Sequence, residues 1–524
     1  MERQAARRPV GASRAHRSAG VNGTSVFSPA QESFLGEPVC REVGGPLRFV
    51  DLRGWAGAAS RGFVSLDTEG RSSCRWKRRD VRRRSRVPSI RRVFGCVDGL
   101  LRGLNADLYK VTGGAFTQDG LLSPLLLVSL LVCFAGRSSH EGYGRLLSWF
   151  WGEAARAKFA LPSAKPVSTS AFYNARYRLT TRIFQDLGSR IVEGVRLARR
   201  RRFLWKQRWR LIAVDGSRFT IPSASKALWR AFGGPSGSHF PQATLTVMFD
   251  VFVRMPIAVI VGRFAGDERR GFLGIIDHLK KHDLLLADRG FPSFEVLRAL
   301  VEHGIDFAFR AGTCVGFHQV REFYRSGAKE RVVDLICQRT QRKRGDQPIR
   351  VRLVRHEAKR GEPWVIITSV MRESASASEI GNLYHERWQI EEFFKLWKSA
   401  APAGSQFHSK CVQGIEQEAA AKFLHLAIAA SYLVESALQG GHHPRNVRWR
   451  EAVDRVTDFL PHVLVFAITD AAVRWHVDNI LKALGWLQYK PRPGRSFPRR
   501  SFAPTPKWRP RGHSSRVKTR AKTR

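Results

Sequence analysis

The chain has 524 residues, enough for two or three domains around a sizeable core. Its 89 Lys and Arg against 44 Asp and Glu give a net charge of +45, which excludes the balance of a typical metabolic enzyme and calls for a polyanionic partner, nucleic acid first and an anionic membrane surface second. Seven scattered cysteines with no CxxC pair argue against a zinc site or a disulfide framework and for a reducing compartment.

Residues 1–92 are rich in Arg, Gly and Ser and lack periodicity. Eleven Arg or Lys and a single acid, Asp80, fall between Arg71 and Arg92. The segment reads either as a disordered basic arm or as text translated from a start codon placed too far upstream. It has no apolar core of the kind a secretory signal needs. Residues 93–205 are expected to form an all-helical domain. Helical apolar spacing covers 93–109, 121–135, 143–151 and 184–197, and Ser168 or Ser170 suits an N-cap. The run 121–135 is broken by Ser123, Pro124 and Ser129. It is shorter than the roughly 20 residues of a membrane span, so a buried helix starting at Pro124 is expected, no membrane association, and a cytoplasmic location. Arg199 to Arg202, then Trp205, Lys206, Arg208 and Trp209, interleave cations with aromatics, as a phosphate-gripping surface or a solvated linker would.

Residues 211–214 are apolar and run into Asp215-Gly216-Ser217, a strand that exits on a carboxylate. Strand-like runs over 243–253 and 257–263 follow, then a helix over 270–281. Residues 284–287 are again apolar and run into Asp288-Arg289-Gly290-Phe291. A helix over 293–302 and a strand over 306–310 come next. Three strands, helix, strand, helix, strand is the order of the ribonuclease-H-like fold, a mixed sheet with flanking helices in which the first and fourth strands are neighbours. Asp215 and Asp288 would then meet. Strands are expected over 316–320, 331–337 and 349–354, and another over 364–369, opened by Trp364.

Residues 384–398 contain no Gly or Pro and read as one helix. Tyr384, Arg387, Glu391, Lys395 and Lys398 fall on one face, with Leu383, Ile390, Phe394 and Trp397 as an apolar stripe beside it. Glu392 points about 100° away and Glu386 lies one residue off the face. A helix over 412–438 serves packing, with dimer contact as a further role. The tail 490–524 holds thirteen Lys or Arg, six prolines and no acids, and cannot fold alone.

Tyr384, Arg387, Glu391 and Lys398 meet the pattern Y-(2)-R-(3)-E-(6)-K in full. It resembles the signature helix of the DDE transposases of bacterial insertion sequences, the insertion-sequence-four family. Val214-Asp215-Gly216-Ser217 is similar to that family's first catalytic motif, and Ala287-Asp288-Arg289-Gly290-Phe291 to its second. The resemblance implies that Asp215, Asp288 and Glu391 are the catalytic, metal-binding carboxylates. Tyr384, Arg387 and Lys398, with Lys395 beside them, would contact DNA. In a hairpin-forming relative the Trp at the place of Trp364 accepts a base flipped out of the DNA. The division implied is residues 93–205 for DNA binding, 206–311 and 364–440 for the ribonuclease-H-like catalytic domain, 312–363 for a β-rich insertion, 441–489 for a helical region and 490–524 for a basic tail. Three converging carboxylates call for two Mg²⁺ about 4 Å apart, with Mn²⁺ as a substitute. The reaction implied is cleavage at terminal inverted repeats and transfer of the 3′ ends into target DNA, through a hairpin intermediate on the same analogy and with a homodimer in the DNA complex. A metal-dependent nuclease that cuts without joining, and a decayed DNA-binding protein, are the two other readings.

Overall fold

Residues 211–214 and 284–287 carry no polar side chain. Such runs leave water most completely as strands in the middle of a sheet covered on both faces. In the computed structural model they form the centres of β1 (Arg210–Thr220) and β4 (Asp283–Ala287), fully buried. The structure describes residues 116, 120–137, 141–199, 201–222, 225–312, 316–336, 347–357, 363–399 and 407–489. The basic segment 1–92, the helical spacing over 93–109 and the tail 490–524 lie outside the described residues.

The other strands are β2 (Gln242–Asp250), β3 (Met255–Arg263), β5 (Asp306–Ala311), β6 (Glu330–Leu335), β7 (Ile349–His356) and β8 (Trp364–Thr368). Together they make one mixed sheet in the order β3-β2-β1-β4-β5-β8-β7-β6. β1, β4 and β5 are parallel; the other neighbours are antiparallel. β6 and β7, from the span expected to hold a β-rich insertion, lengthen the same sheet beyond β8.

Three expectations are corrected. The strand expected over 316–320 is mostly helix: Val320, Phe323 and Tyr324 follow a helical spacing, and Gly327, at φ 66°, ends the turn. The helix expected over 270–281 is a short one, Glu268–Leu273, ended at Gly274 and followed by a 3₁₀ turn at Ile276–His278. The helix expected over 384–398 is two helices, described below.

The first four helices are α1 (Pro124–Ala135), α2 (Tyr143–Arg156), α3 (Thr169–Arg176) and α4 (Arg182–Ala198). Ser123 caps α1 and Ser168 caps α3, each accepting a backbone N–H from the first turn. Next in order are α5 (Lys226–Phe232), α6 (Glu268–Leu273), α7 (Phe294–Glu302), α8 (His318–Ser326), α9 (Ala377–His385) and α10 (Trp388–Ser399). Last come α11 (Val412–Gly440), α12 (Trp449–Pro461) and α13 (Asp470–Trp486). α11 is long and apolar enough to cross a membrane, but it is almost wholly buried among α1, α4, α12, α13 and β3. It is therefore a core helix, with little surface left for the dimer contact expected of it.

Two buried ion pairs pin this arrangement. Arg210 and Asp283 are register partners at the start of β1 and β4. Nε of Arg210 donates to Asp283 Oδ1 at 2.7 Å, and a second guanidinium N–H bonds the other carboxylate oxygen. In the helical layer, fully buried Arg176 donates to Glu418 Oε1 at 3.0 Å, to Gln417 and to the Gly414 carbonyl. Burial alone would raise the Glu418 carboxyl. Arg176, His408 and hydrogen bonds from Ser409 and Tyr143 outweigh it and hold the carboxyl below its ordinary range.

Asp283→Ala leaves Arg210 charged, buried and unpaired. The expected loss is about 3–5 kcal/mol, read as a lower urea midpoint at unchanged slope. Glu418, being depressed in the folded state, contributes stability in full above its unfolded pKa and loses it as pH falls through the folded value. Glu418→Gln is expected to lower stability at neutral pH and to flatten the acid limb of a stability–pH series.

Candidate active site

The β1–β4 register runs from Arg210–Asp283 to Ala213–Leu286. Counted on by two residues, past the end of β4, the same offset leads from Asp215 to Asp288. β1 does not end at its aspartate, as the sequence implies. It runs on to Thr220, paired there only with β2, so Asp215 sits where β4 leaves it. Asp288 is the first residue past β4. Each carboxylate is fixed by a nearby glycine: Gly216 N–H donates to Asp215 Oδ1 and Gly290 N–H to Asp288 Oδ1, both at 2.8 Å. Burial pushes the Asp215 carboxyl up to about 7; the Gly216 bond and Arg387 oppose this, while Asp288 and Glu268 add to it.

α9 begins with a capping box, Ser376 and Glu379 bonding reciprocally, and carries Tyr384 in its last turn. The chain then tightens. Glu386, Arg387, Gln389 and Ile390 each donate to the carbonyl three residues back, and α10 starts at Trp388. Glu386 is drawn away to Arg445, whose Nη2 reaches both its carboxylate oxygens. The single straight helix expected here is thus a corner. It still brings Tyr384, Arg387 and Glu391 together. Arg387 Nη2 donates to Glu391 Oε1 at 2.7 Å, and Nη1 lies 3.6 Å from Asp215 Oδ2. Tyr384 is buried; burial foremost, and Asp288, push its phenol up to about 12 against the pull of Arg387 and Arg310.

Ile390, Phe393, Phe394 and Trp397 bury the inner side of α10, with Phe393 against Phe249 and Trp397 against Phe219. Asp215 and Phe219 lie on one face of β1, so α10 runs along that face in the strand's own direction. Lys398 lies over the Phe219 ring at 5.0 Å, and burial lowers its ammonium. Lys422 donates to the Trp397 carbonyl at 2.8 Å and steadies the end of α10. Lys395 goes elsewhere: its amine pairs with Glu392 and lies over Trp388, beside a groove lined by Arg254, Arg448 and Trp449. Trp364 packs against Tyr384, His385 and His356, with the Arg310 guanidinium 4.7 Å from its ring centre.

Three acids without motif support have structural roles. Asp250 pairs with Arg199, Asp283 with Arg210, and Asp267 caps α6. Glu268 and Arg310 were not singled out in the sequence. Glu268 stands in Gly266-Asp267-Glu268-Arg269-Arg270, text of an exposed turn, and only its position in space marks it.

Among the described residues, no three His, Cys, Asp or Glu side chains stand close enough to hold an ion together. The donor chemistry nonetheless fits one. Asp215 on β1 and Asp288 directly after β4 are carboxylates at the same end of neighbouring strands, Glu391 is one guanidinium from Asp215, and oxygen donors alone suit Mg²⁺ or Mn²⁺. Arg387 supplies the positive charge this corner requires.

Residues 207–428 match the family described as transposase DDE domain, a span holding Asp215, Asp288, Tyr384, Arg387, Glu391 and Lys398. The match supports a DDE transposase. Among solved structures, the cryo-EM structure of the piggyBac transposase synaptic complex with hairpin DNA is similar over 78% of this chain and 87% of that chain, at 9% identity and a TM-score of 0.38. A likeness of that size carries no functional argument. No curated protein matches the chain.

If a cation and the Arg387 guanidinium serve the same carboxylates, one can stand in for the other. Arg387→Met is expected to cost about 1.5–3 kcal/mol in metal-free buffer and less with Mg²⁺ or Mn²⁺ present, by thermal melting. An equal loss under both conditions would contradict the exchange.

Proposed function

We propose that this chain is a DNA transposase of the insertion-sequence-four type. It binds the inverted-repeat ends of its element, cuts them at a site built from Asp215, Asp288 and Glu391, and transfers the 3′ ends into target DNA. The observation that supports this reading is the parallel pairing of β1 and β4, with Asp215 on β1 and Asp288 directly after β4, and with Glu391 tied to Asp215 through Arg387. The match to the transposase DDE domain and the charge of +45 support the same partner, DNA.

The strand order with β1 beside β4 supports a ribonuclease-H-like catalytic domain over 206–311 and 364–440. Residues 312–363 are assigned as its insertion and 93–205 as a DNA-binding region. The chain acts as a homodimer on DNA, in the cytoplasm.

Asp215, Asp288 and Glu391 hold the divalent metal, two Mg²⁺ with Mn²⁺ as substitute. When bound, it supplies a Lewis acid and a water or 3′-hydroxyl activated for in-line attack on phosphorus. Arg387 gives up its carboxylates and turns to the phosphate, where its fork matches two oxygens. Lys398, farther along the same face, continues that track of positive charge. Tyr384, whose phenol stays protonated, donates a hydrogen bond to a phosphate oxygen. Trp364 offers a ring edge beside Tyr384 for a displaced base.

The test uses purified protein, DNA carrying the gene's own flanking ends, and Mg²⁺ or Mn²⁺. The expected result is a cut at the end and a joined product. Asp215→Asn, Asp288→Asn and Glu391→Gln should each reduce cutting by about 100-fold or more while retaining DNA binding. Cutting without joining would make the chain a nuclease. Binding without cutting in either metal would make it a DNA-binding protein that has lost its chemistry.

A further inference from the structure

A charge taken out of water is unfavourable unless an opposite charge answers it. Arg176, Arg210, Arg352 and Arg254 are each more than nine-tenths buried. The first three meet a carboxylate: Glu418, Asp283 and Glu330. Arg254 meets none among the described residues. Its Nη1 donates to the Val447 carbonyl at 2.7 Å and its Nη2 to the Arg445 carbonyl at 3.2 Å, while Nε has no hydrogen-bond partner. The residue stands at φ 56°, in the turn between β2 and β3. Side chains disfavour that conformation, and it persists where the surroundings require it.

Arg254 lines a groove of about 360 Å³ between α10 and the start of α12. The groove's other charged residues are Lys395, Arg448 and Arg450, against one acid, Glu392. Each of those three cations has a nearby carboxylate on its own helix or directly after its start: Glu392, Glu451 and Asp454. The unbalanced charge is therefore that of Arg254. Its guanidinium lies 5.3 Å from the ring centre of Trp449, which packs in turn on Phe249 and Phe393. The floor is thus held firmly, and the rim is cationic.

Glu392 points about 100° around α10 from Glu391. Lys395, four residues past Glu391 and three past Glu392, stands between the face of Glu391 and Lys398 and the face that lines the groove. A DNA strand lying on the first face reaches the groove by crossing that one lysine.

We propose that this groove is a second DNA-binding site, apart from the carboxylate corner, where the charge of Arg254 and the cations of the rim hold a backbone phosphate. A phosphodiester brings the single negative charge that Arg254 lacks. The proposal rests on DNA being the partner of this chain and is independent of the metal site.

The experiment is a fluorescence-anisotropy titration of the full chain, without metal, into labelled duplex carrying the gene's own flanking ends, over a series of salt concentrations. Wild type is compared with Arg254→Met and with the rim variant Lys395→Gln/Arg450→Gln, each with its thermal midpoint. Arg254→Met is expected to weaken binding about tenfold or more and to flatten the slope of log affinity against log salt by about one. The rim variant should flatten it by about two at an unchanged midpoint, so the groove is read even if Arg254→Met does not fold. Wild-type slopes in both variants would overturn the groove and leave the DNA reading standing. A lowered midpoint in Arg254→Met with the wild-type slope would make Arg254 a structural residue and overturn its part in binding. Absence of duplex binding by wild type would overturn the DNA reading and this proposal together.

Discussion

The parallel register of β1 and β4 is the constraint on which the site depends. It is fixed at one end by Arg210 and Asp283, a bidentate pair with both side chains almost fully buried. Sliding β4 by one residue would break that pair inside the protein, at a cost of several kcal/mol, and would turn its side chains to the wrong faces. Five residues farther along the chain from each partner stand Asp215, on β1, and Asp288, just past β4. The count from that pair is equal along both segments, so an ion pair of opposite charges at the base brings two carboxylates to the same end of the sheet. Pairing between the strands has ended there, at Ala213 and Leu286, which opens the sheet where the carboxylates project.

Burial above all, and Asp288 after it, raise the Asp215 carboxyl. Arg387 partly relieves it by bridging Asp215 and Glu391. A chain with 89 cationic and 44 acidic side chains thus gathers acids at one corner of its sheet. The general excess of cations attracts a polyanion from any direction. The acid corner is the local exception to that excess.

Much of this was legible in the sequence, for a definite reason. Short apolar runs ending on Asp-Gly or Asp-Arg-Gly can be removed from water in few ways, and strand order then brings β1 to β4. The Tyr384, Arg387, Glu391 spacing was also visible, though its geometry was not. Glu386 pairs with Arg445, nearly sixty residues later, and that long-range contact lies behind no local helix signal. α8 was misread because Val320 and Phe323 sit too near Gly316 and Gly327 for a helical period to stand out. Glu268 was hidden because its text is that of a solvated turn, while its side chain packs over Gly216 of β1. Lys395 has the right spacing for the site, yet its amine finds Glu392, a choice between equivalent neighbours that spacing does not decide.

The most direct test of the account is anomalous scattering from Mn²⁺ in crystals of the protein with a DNA end. The account predicts peaks bounded by Asp215, Asp288 and Glu391, with the Arg387 guanidinium moved off Asp215 and onto phosphate. Peaks elsewhere, or Arg387 still bridging Asp215 and Glu391 with DNA and Mn²⁺ present, would contradict it.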